Sequence, residues 1–228
     1  RQKMGGAQVL ARIILSGNTG RVKPWMSRTG TSRRGHGPRW QDKMIKQEGP
    51  HFTLEDDLVR IRVEPHNGGK IRSFVSRKTG QNYFYVDKRQ FHEGSGYSDG
   101  DISGLDECFP SIAPCQYTDG PCEGLELGDH GLLWNQCWSA DIKGDRLDMQ
   151  VELDELDVVF NRSLDLHRPG CLRIQYRIVN GNREPLPFIY CMHLLLAGGP
   201  STRFEFPQGQ QRAFLYFGMN LGELTERT

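Results

Sequence analysis

Val59-Arg60-Ile61-Arg62-Val63 is the stretch on which the fold turns. Apolar and charged residues alternate with a period of two, so Val59, Ile61 and Val63 share one face of a strand and the two arginines share the other. His66-Asn67-Gly68-Gly69 then turns the chain, and residues 71–75 return antiparallel to complete a hairpin. The same rhythm continues outward. After the Lys78-Thr79-Gly80 turn, strands are predicted over 82–86, 138–142, 147–153, 158–166, 172–179, 188–196 and 202–206, with Asn180-Gly181-Asn182 as a strong turn between two of them. No stretch sustains a helical stripe. The pattern by itself predicts an all-β protein, a twisted antiparallel β-sandwich.

Length and composition suit one large domain, or one domain with a tail: 228 residues, 36% apolar and 25% charged. The net charge of +1 conceals an asymmetry. Residues 1–49 carry eleven Lys or Arg against two acidic residues, a net +9, which leaves −8 for the remainder. This basic part is rich in Gly, Ser and Arg, and its short apolar cluster at 9–15 is too small to offset the entropy of ordering its surroundings. It is expected to be a disordered extension, with a folded domain over 50–228. An organelle transit peptide or a nucleic-acid-binding tail would share this composition, but a solvated extension is the simpler reading and nucleic acid is not an expected partner. The pattern leaves open whether residues 1–43 belong to the natural protein.

No apolar run approaches the eighteen or so residues needed to cross a bilayer, so a soluble, cytoplasmic protein without a membrane partner is expected. The six cysteines are scattered and form no CxxC pair. Cys108, Cys115 and Cys122 recur every seven residues, a spacing that matches no zinc motif, so buried or free thiols and no metal are expected.

Four pieces carry chemistry. They are Pro65-His66-Asn67-Gly68-Gly69-Lys70-Ile71-Arg72-Ser73-Phe74, Gly104-Leu105-Asp106-Glu107-Cys108-Phe109-Pro110-Ser111-Ile112, Asp129-His130-Gly131-Leu132-Leu133-Trp134-Asn135-Gln136-Cys137-Trp138, and Pro187-Phe188-Ile189-Tyr190-Cys191-Met192-His193. In this order they resemble the galactose mutarotase-like family, the aldose 1-epimerases and their relatives, across residues 51 to 206. The resemblance implies the large β-supersandwich, interconversion of the α and β anomers of a hexose or hexose phosphate, and no cofactor. Mutarotation needs an acid at the ring oxygen and a base at the C1 hydroxyl. Histidine suits the acid role because both of its protonation states are accessible near neutral pH.

The resemblance implies His193 as the catalytic acid and His130 as a second active-site histidine that holds the sugar in register. Without it, His193 in an apolar strand reads as a satisfied core residue and His130 as a turn residue. Arg72, Asp106 and Trp134 are candidate substrate-binding residues. Arg72 also reads as a surface arginine on a hairpin, Asp106 and Glu107 as ordinary loop acids, and Trp134 and Trp138 as packing. The long Gly- and Pro-rich segment from Phe91 to Gly128 is expected to be an ordered loop walling a sugar cleft, against the alternative of an irregular connection.

In the resembled enzymes the base is a glutamate on a late strand. This chain continues only 35 residues past His193, and Leu221-Gly222-Glu223-Leu224-Thr225-Glu226 does not match the base motif. The resemblance therefore implies a family member incomplete at its C-terminus, with no base to name. A non-catalytic carbohydrate-binding protein, or an inactive truncated relative, is the alternative. Nothing in the spacing selects one hexose over another.

Overall fold

The computed structural model describes residues 8–16, 43–89, 96–199 and 202. Among the described residues there are thirteen strands and no α-helix: β1 (Gln8–Ser16), β2 (Met44–Glu48), β3 (His51–Glu55), β4 (Val59–Glu64), β5 (Lys70–Ser76), β6 (Leu105–Cys108), β7 (Cys115–Gln116), β8 (Glu126–Leu127), β9 (Ser139–Lys143), β10 (Arg146–Leu153), β11 (Val158–Arg168), β12 (Cys171–Asn180) and β13 (Cys191–Leu194). The chain divides into two compact units, Arg1–Ala197 and Gly198–Thr228, and all of these strands lie in the first.

Two sheets form an all-β sandwich. One runs β1-β12-β11-β10-β9 and the other β13-β6-β5-β4-β3-β2, while β7 and β8 make a separate two-stranded ribbon. Pairing is antiparallel throughout except between β1 and β12, which are parallel. Period-two alternation is the reason the sheets stack. In β10 the buried positions are Leu147, Met149, Val151 and Leu153, and in β4 they are Val59, Ile61 and Val63, with Arg60 and Arg62 exposed. Phe160 of β11 centres the core, its ring 5.2 Å from Phe109, 5.7 Å from Trp138 and 5.9 Å from Tyr176.

The core also holds a charge. Glu107 points inward from β6 to Arg162 of β11, Nη1 to Oε1 at 2.9 Å, with both side chains fully buried. Tyr176 and Tyr190 donate their hydroxyls to its two oxygens at 2.7 and 2.6 Å. The Arg162 guanidinium also donates to the Gly69 carbonyl and lies 4.8 Å over the Trp138 ring. Every oxygen of this buried carboxylate is therefore occupied, as a charge in a low-dielectric interior requires.

Several expectations need correction. The folded region begins earlier than residue 50, because Met44–Glu48 pairs in register with His51–Glu55, and Gln8–Ser16 pairs with Cys171–Val179. A strand that joins a sheet edge gains order from the ladder it completes, which composition does not report. The expected course of the domain on to 228 lies outside the described residues beyond Thr202. The segment from Phe91 to Gly128 is not one loop: it contains β6, which lies between β13 and β5. Asp106 and Glu107 are accordingly strand residues. Residues 82–86 make only isolated bridges, Asn82 to Val75 and Phe84 to Leu196, since the Asn82 side chain caps the amides of Phe74 and Phe84 instead of a ladder forming. The strand expected at 202–206 lies outside the described residues apart from Thr202, as do Glu223 and Glu226.

Candidate functional site

Strand β6 sorts its residues by parity. Leu105 and Glu107 enter the core, while Asp106 and Cys108 take the opposite face. Antiparallel pairing with β13 sets Cys191 opposite Cys108 and His193 opposite Asp106. Across β6, strand β5 contributes Lys70 and Arg72, two residues apart. One face of three adjacent strands thus carries Lys70, Arg72, Asp106 and His193.

Asp106 is the hub. It is almost wholly buried, and Oδ1 lies 2.9 Å from Nδ1 of His193. Its other oxygen lies 3.4 Å from Nζ of the equally buried Lys70 and accepts the Tyr97 hydroxyl at 3.3 Å. The same hydroxyl is 2.8 Å from Nδ1 of His193. With Nδ1 committed to Asp106, the other nitrogen, Nε2, is the one left to serve a substrate or ligand.

Aromatic rings complete the cluster. Tyr97 stacks on His130 with ring centroids 3.5 Å apart and meets Trp134 edge-on at 5.3 Å. The His130 and His193 rings stand 4.8 Å apart at 62°. His130 is held in left-handed backbone, φ +64°, with its amide bonded to the Ile112 carbonyl at 3.0 Å. A non-glycine residue in that conformation is strained, and such strain concentrates at functional sites. Burial pushes the His130 imidazole down from its ordinary pKa, opposed by Asp129, whose Oδ1 lies 3.0 Å from Nδ1 but outside hydrogen-bonding alignment. The indole nitrogen of Trp134 is buried with no hydrogen-bond partner among the described residues. Burial and the nearby Asp106 push the Tyr97 hydroxyl far up, so it acts as a donor and not as a base.

Behind Asp106 lies a second tier. Arg72 binds the Asp101 carboxylate, reaches Glu64 at 3.8 Å, and donates to the Asp87 carbonyl at 3.4 Å. Asn67 bridges Glu64 and Asp101 at 3.2 and 3.1 Å, and Lys70 donates to the Asp101 carbonyl. Burial opposes ionisation of Asp101, but hydrogen bonds from Ser103 and the charges of Lys70 and Arg72 hold its carboxyl below the usual range.

The structure therefore brings His193, His130, Asp106 and Trp134 into one cluster. Arg72 joins it only indirectly, through Asp101 and Lys70. Glu107 leaves it for the core. Sequence reasoning missed Tyr97, Lys70, Asp101 and Cys108. Lys70 and Cys108 had a signal, since each lies two residues along a strand from a candidate and so on its face; Tyr97 had none. The seven-residue series of cysteines does not assemble: Cys108 and Cys122 are buried and Cys115 is exposed, each in a different element.

No protein-family model matches the chain, and no curated protein does. Among solved structures, a 4-alpha-glucanotransferase from Thermococcus litoralis is similar at 20% identity and TM-score 0.43, over 62% of this chain and 25% of that one. A TPR-domain containing protein from Parabacteroides distasonis is similar at 17% identity and TM-score 0.33, over 54% and 19%. The chain spans about a quarter or less of the length of these structures. What fold and site define is a class: an antiparallel β-sandwich with an aspartate–histidine cluster on one sheet face. No helix is long and apolar enough to cross a membrane among the described residues.

Proposed function

We propose that this protein is an aldose 1-epimerase-like isomerase that interconverts the α and β anomers of a hexose or hexose phosphate. The observation that carries the reading is the His193–Asp106 pair at 2.9 Å, its imidazole partly exposed and faced by a second imidazole. In the reaction a base takes the proton from the C1 hydroxyl while His193 delivers one from Nε2 to the ring oxygen. The C1–O5 bond breaks, the carbonyl rotates, and closure on the other face returns both protons. Asp106 supports the imidazolium that must exist before each delivery, and Tyr97 fixes the ring's orientation. His130 positions the sugar, and Trp134 lines the cleft beside Tyr97. Arg72 binds substrate in this reading by way of the tier around Asp101. The chemistry needs no cofactor. A cytoplasmic setting belongs to the same reading.

A second reading has its own observation. Among the described residues, both buried carboxylates of the cluster are committed, Asp106 to Lys70, Tyr97 and His193, and Asp101 to Arg72 and Asn67, so neither is free to take the C1 proton. A carbohydrate-binding protein without catalysis would look the same here. Magnetisation exchange between anomers, followed by NMR with glucose, galactose and glucose 6-phosphate, separates the two. The isomerase reading expects acceleration that His193→Ala abolishes. Sugar binding without acceleration establishes the second reading, and neither binding nor acceleration overturns both.

A further inference from the structure

A third side chain with a ligating atom stands beside the two histidines. Cys108 projects from β6 on the Asp106 face, and its sulfur forms a group with imidazole nitrogens of His130 and His193 whose ligating atoms all lie within 4.8 Å of one another. Three atoms so spaced share a point no more than about 2.8 Å from each, against about 2.0–2.1 Å for a zinc–imidazole bond and about 2.3 Å for a zinc–thiolate bond. A contraction of less than about 1 Å per ligand closes that gap.

Three further features fit a metal. The ligands sit on different supports, β6, β13 and the loop after β8, and the two strands are locked in register. His193 has the Asp106 carboxylate at hydrogen-bonding distance from Nδ1, which leaves Nε2 for a metal, while Asp129 stands 3.0 Å from Nδ1 of His130 without hydrogen-bonding alignment. Ligating histidines characteristically have such a partner on their second nitrogen, because it fixes the ring and raises its basicity. One thiolate with two neutral imidazoles suits a borderline-soft ion such as zinc or cobalt, and not magnesium or calcium.

We propose that Cys108, His130 and His193 form a three-ligand site for a zinc-class divalent cation, with Asp106 orienting the His193 imidazole. Binding releases the Cys108 thiol proton to solvent and leaves a fourth position for water or a small ligand. The ion and the isomerase reaction compete for the same nitrogen of His193, so zinc inhibits that activity if the isomerase reading holds. Metal binding itself does not depend on that reading.

The test is a cobalt titration under reducing, oxygen-free conditions, in a variant with the exposed Cys115 and Cys137 replaced by serine. The expected result is a thiolate-to-cobalt charge-transfer band that saturates at one equivalent and is bleached by zinc. Cys108→Ser removes the band, and Asp106→Asn weakens binding about 10- to 100-fold. Absence of a saturable band, or a band that survives Cys108→Ser, overturns the proposal. If circular dichroism finds Cys108→Ser unfolded, His193→Gln decides, since that side chain is partly exposed on an outer strand; unchanged cobalt affinity there overturns the site.

Discussion

His193 stands directly opposite Asp106 across β13 and β6, and its Nδ1 lies 2.9 Å from a carboxylate oxygen that is itself buried. The pair is fixed by strand register and not by loop conformation, so its geometry is as rigid as the sheet. Asp106→Asn keeps the shape and removes the charge that favours an imidazolium. If the isomerase reading holds, anomer exchange measured by NMR is expected to fall by about 10²-fold or more. The melting temperature is expected to drop as well, because the buried Lys70 loses its counter-charge, so the rates are compared at a temperature where circular dichroism finds both proteins folded. Equal rates in the two proteins would refute a role for the pair in proton transfer.

Glu107, one residue further on, is predicted to behave in the opposite way. Replacing it with glutamine leaves Arg162 buried without its counter-charge, and a loss of about 3–5 kcal/mol in urea-unfolding free energy is expected. A Glu107→Leu, Arg162→Met double variant removes both charges and should recover most of that loss. A mild effect of Glu107→Gln alone would show that water reaches the pair.

Gly68 is predicted to couple turn and site. Its φ is +63°, its amide donates to the Gln136 carbonyl at 3.0 Å, and a Cβ added there would penetrate the Trp134 carbonyl. Gly68→Ala should cost about 1–3 kcal/mol of stability from backbone strain alone, and displace Trp134 in addition. Tryptophan fluorescence reads the displacement directly; an unshifted spectrum with unaltered stability would contradict the close approach.

Asp101 sets an acid limb on stability. Its folded carboxyl titrates below its unfolded value, so its contribution is fully present above the unfolded pKa and is lost as pH falls through the folded one. Denaturant midpoints measured from pH 6 downward should decline through the carboxylate range. Asp101→Asn should be less stable near neutrality and show a shallower decline. A parallel pair of curves would assign the acid limb to other groups.

Much of the fold was legible because alternation is a local signal. The predicted strands at 138–142, 147–153, 158–166 and 172–179 coincide with β9 to β12 to within a few residues at each end. Strands β2 and β3 were missed because Met44–Glu48 has little alternation of its own and is ordered by its neighbour. The chain's short β6 was lost in a Gly- and Pro-rich segment, where four residues carry too little pattern to register. Of the site, His193, His130, Asp106 and Trp134 were named, and whether they meet was beyond a linear reading. Tyr97, which touches all four of these side chains and stacks on His130, carries no motif.

The sequence by itself determined that the protein is a β-sandwich, since side-chain period and turn chemistry are written residue by residue. For β4 it also determined which parity faces the core, Val59, Ile61 and Val63 inward and the two arginines outward. Only the tertiary structure decided that Asp106 and Glu107, adjacent in the chain, serve different ends, one at the histidine cluster and one in a buried ion pair. It also decided that ligating atoms of Cys108, His130 and His193 lie within 4.8 Å of one another. Those outcomes depend on which strands become neighbours and in what register, a choice made by the burial of both sheets together and by long-range backbone pairing, and distributed over the whole chain.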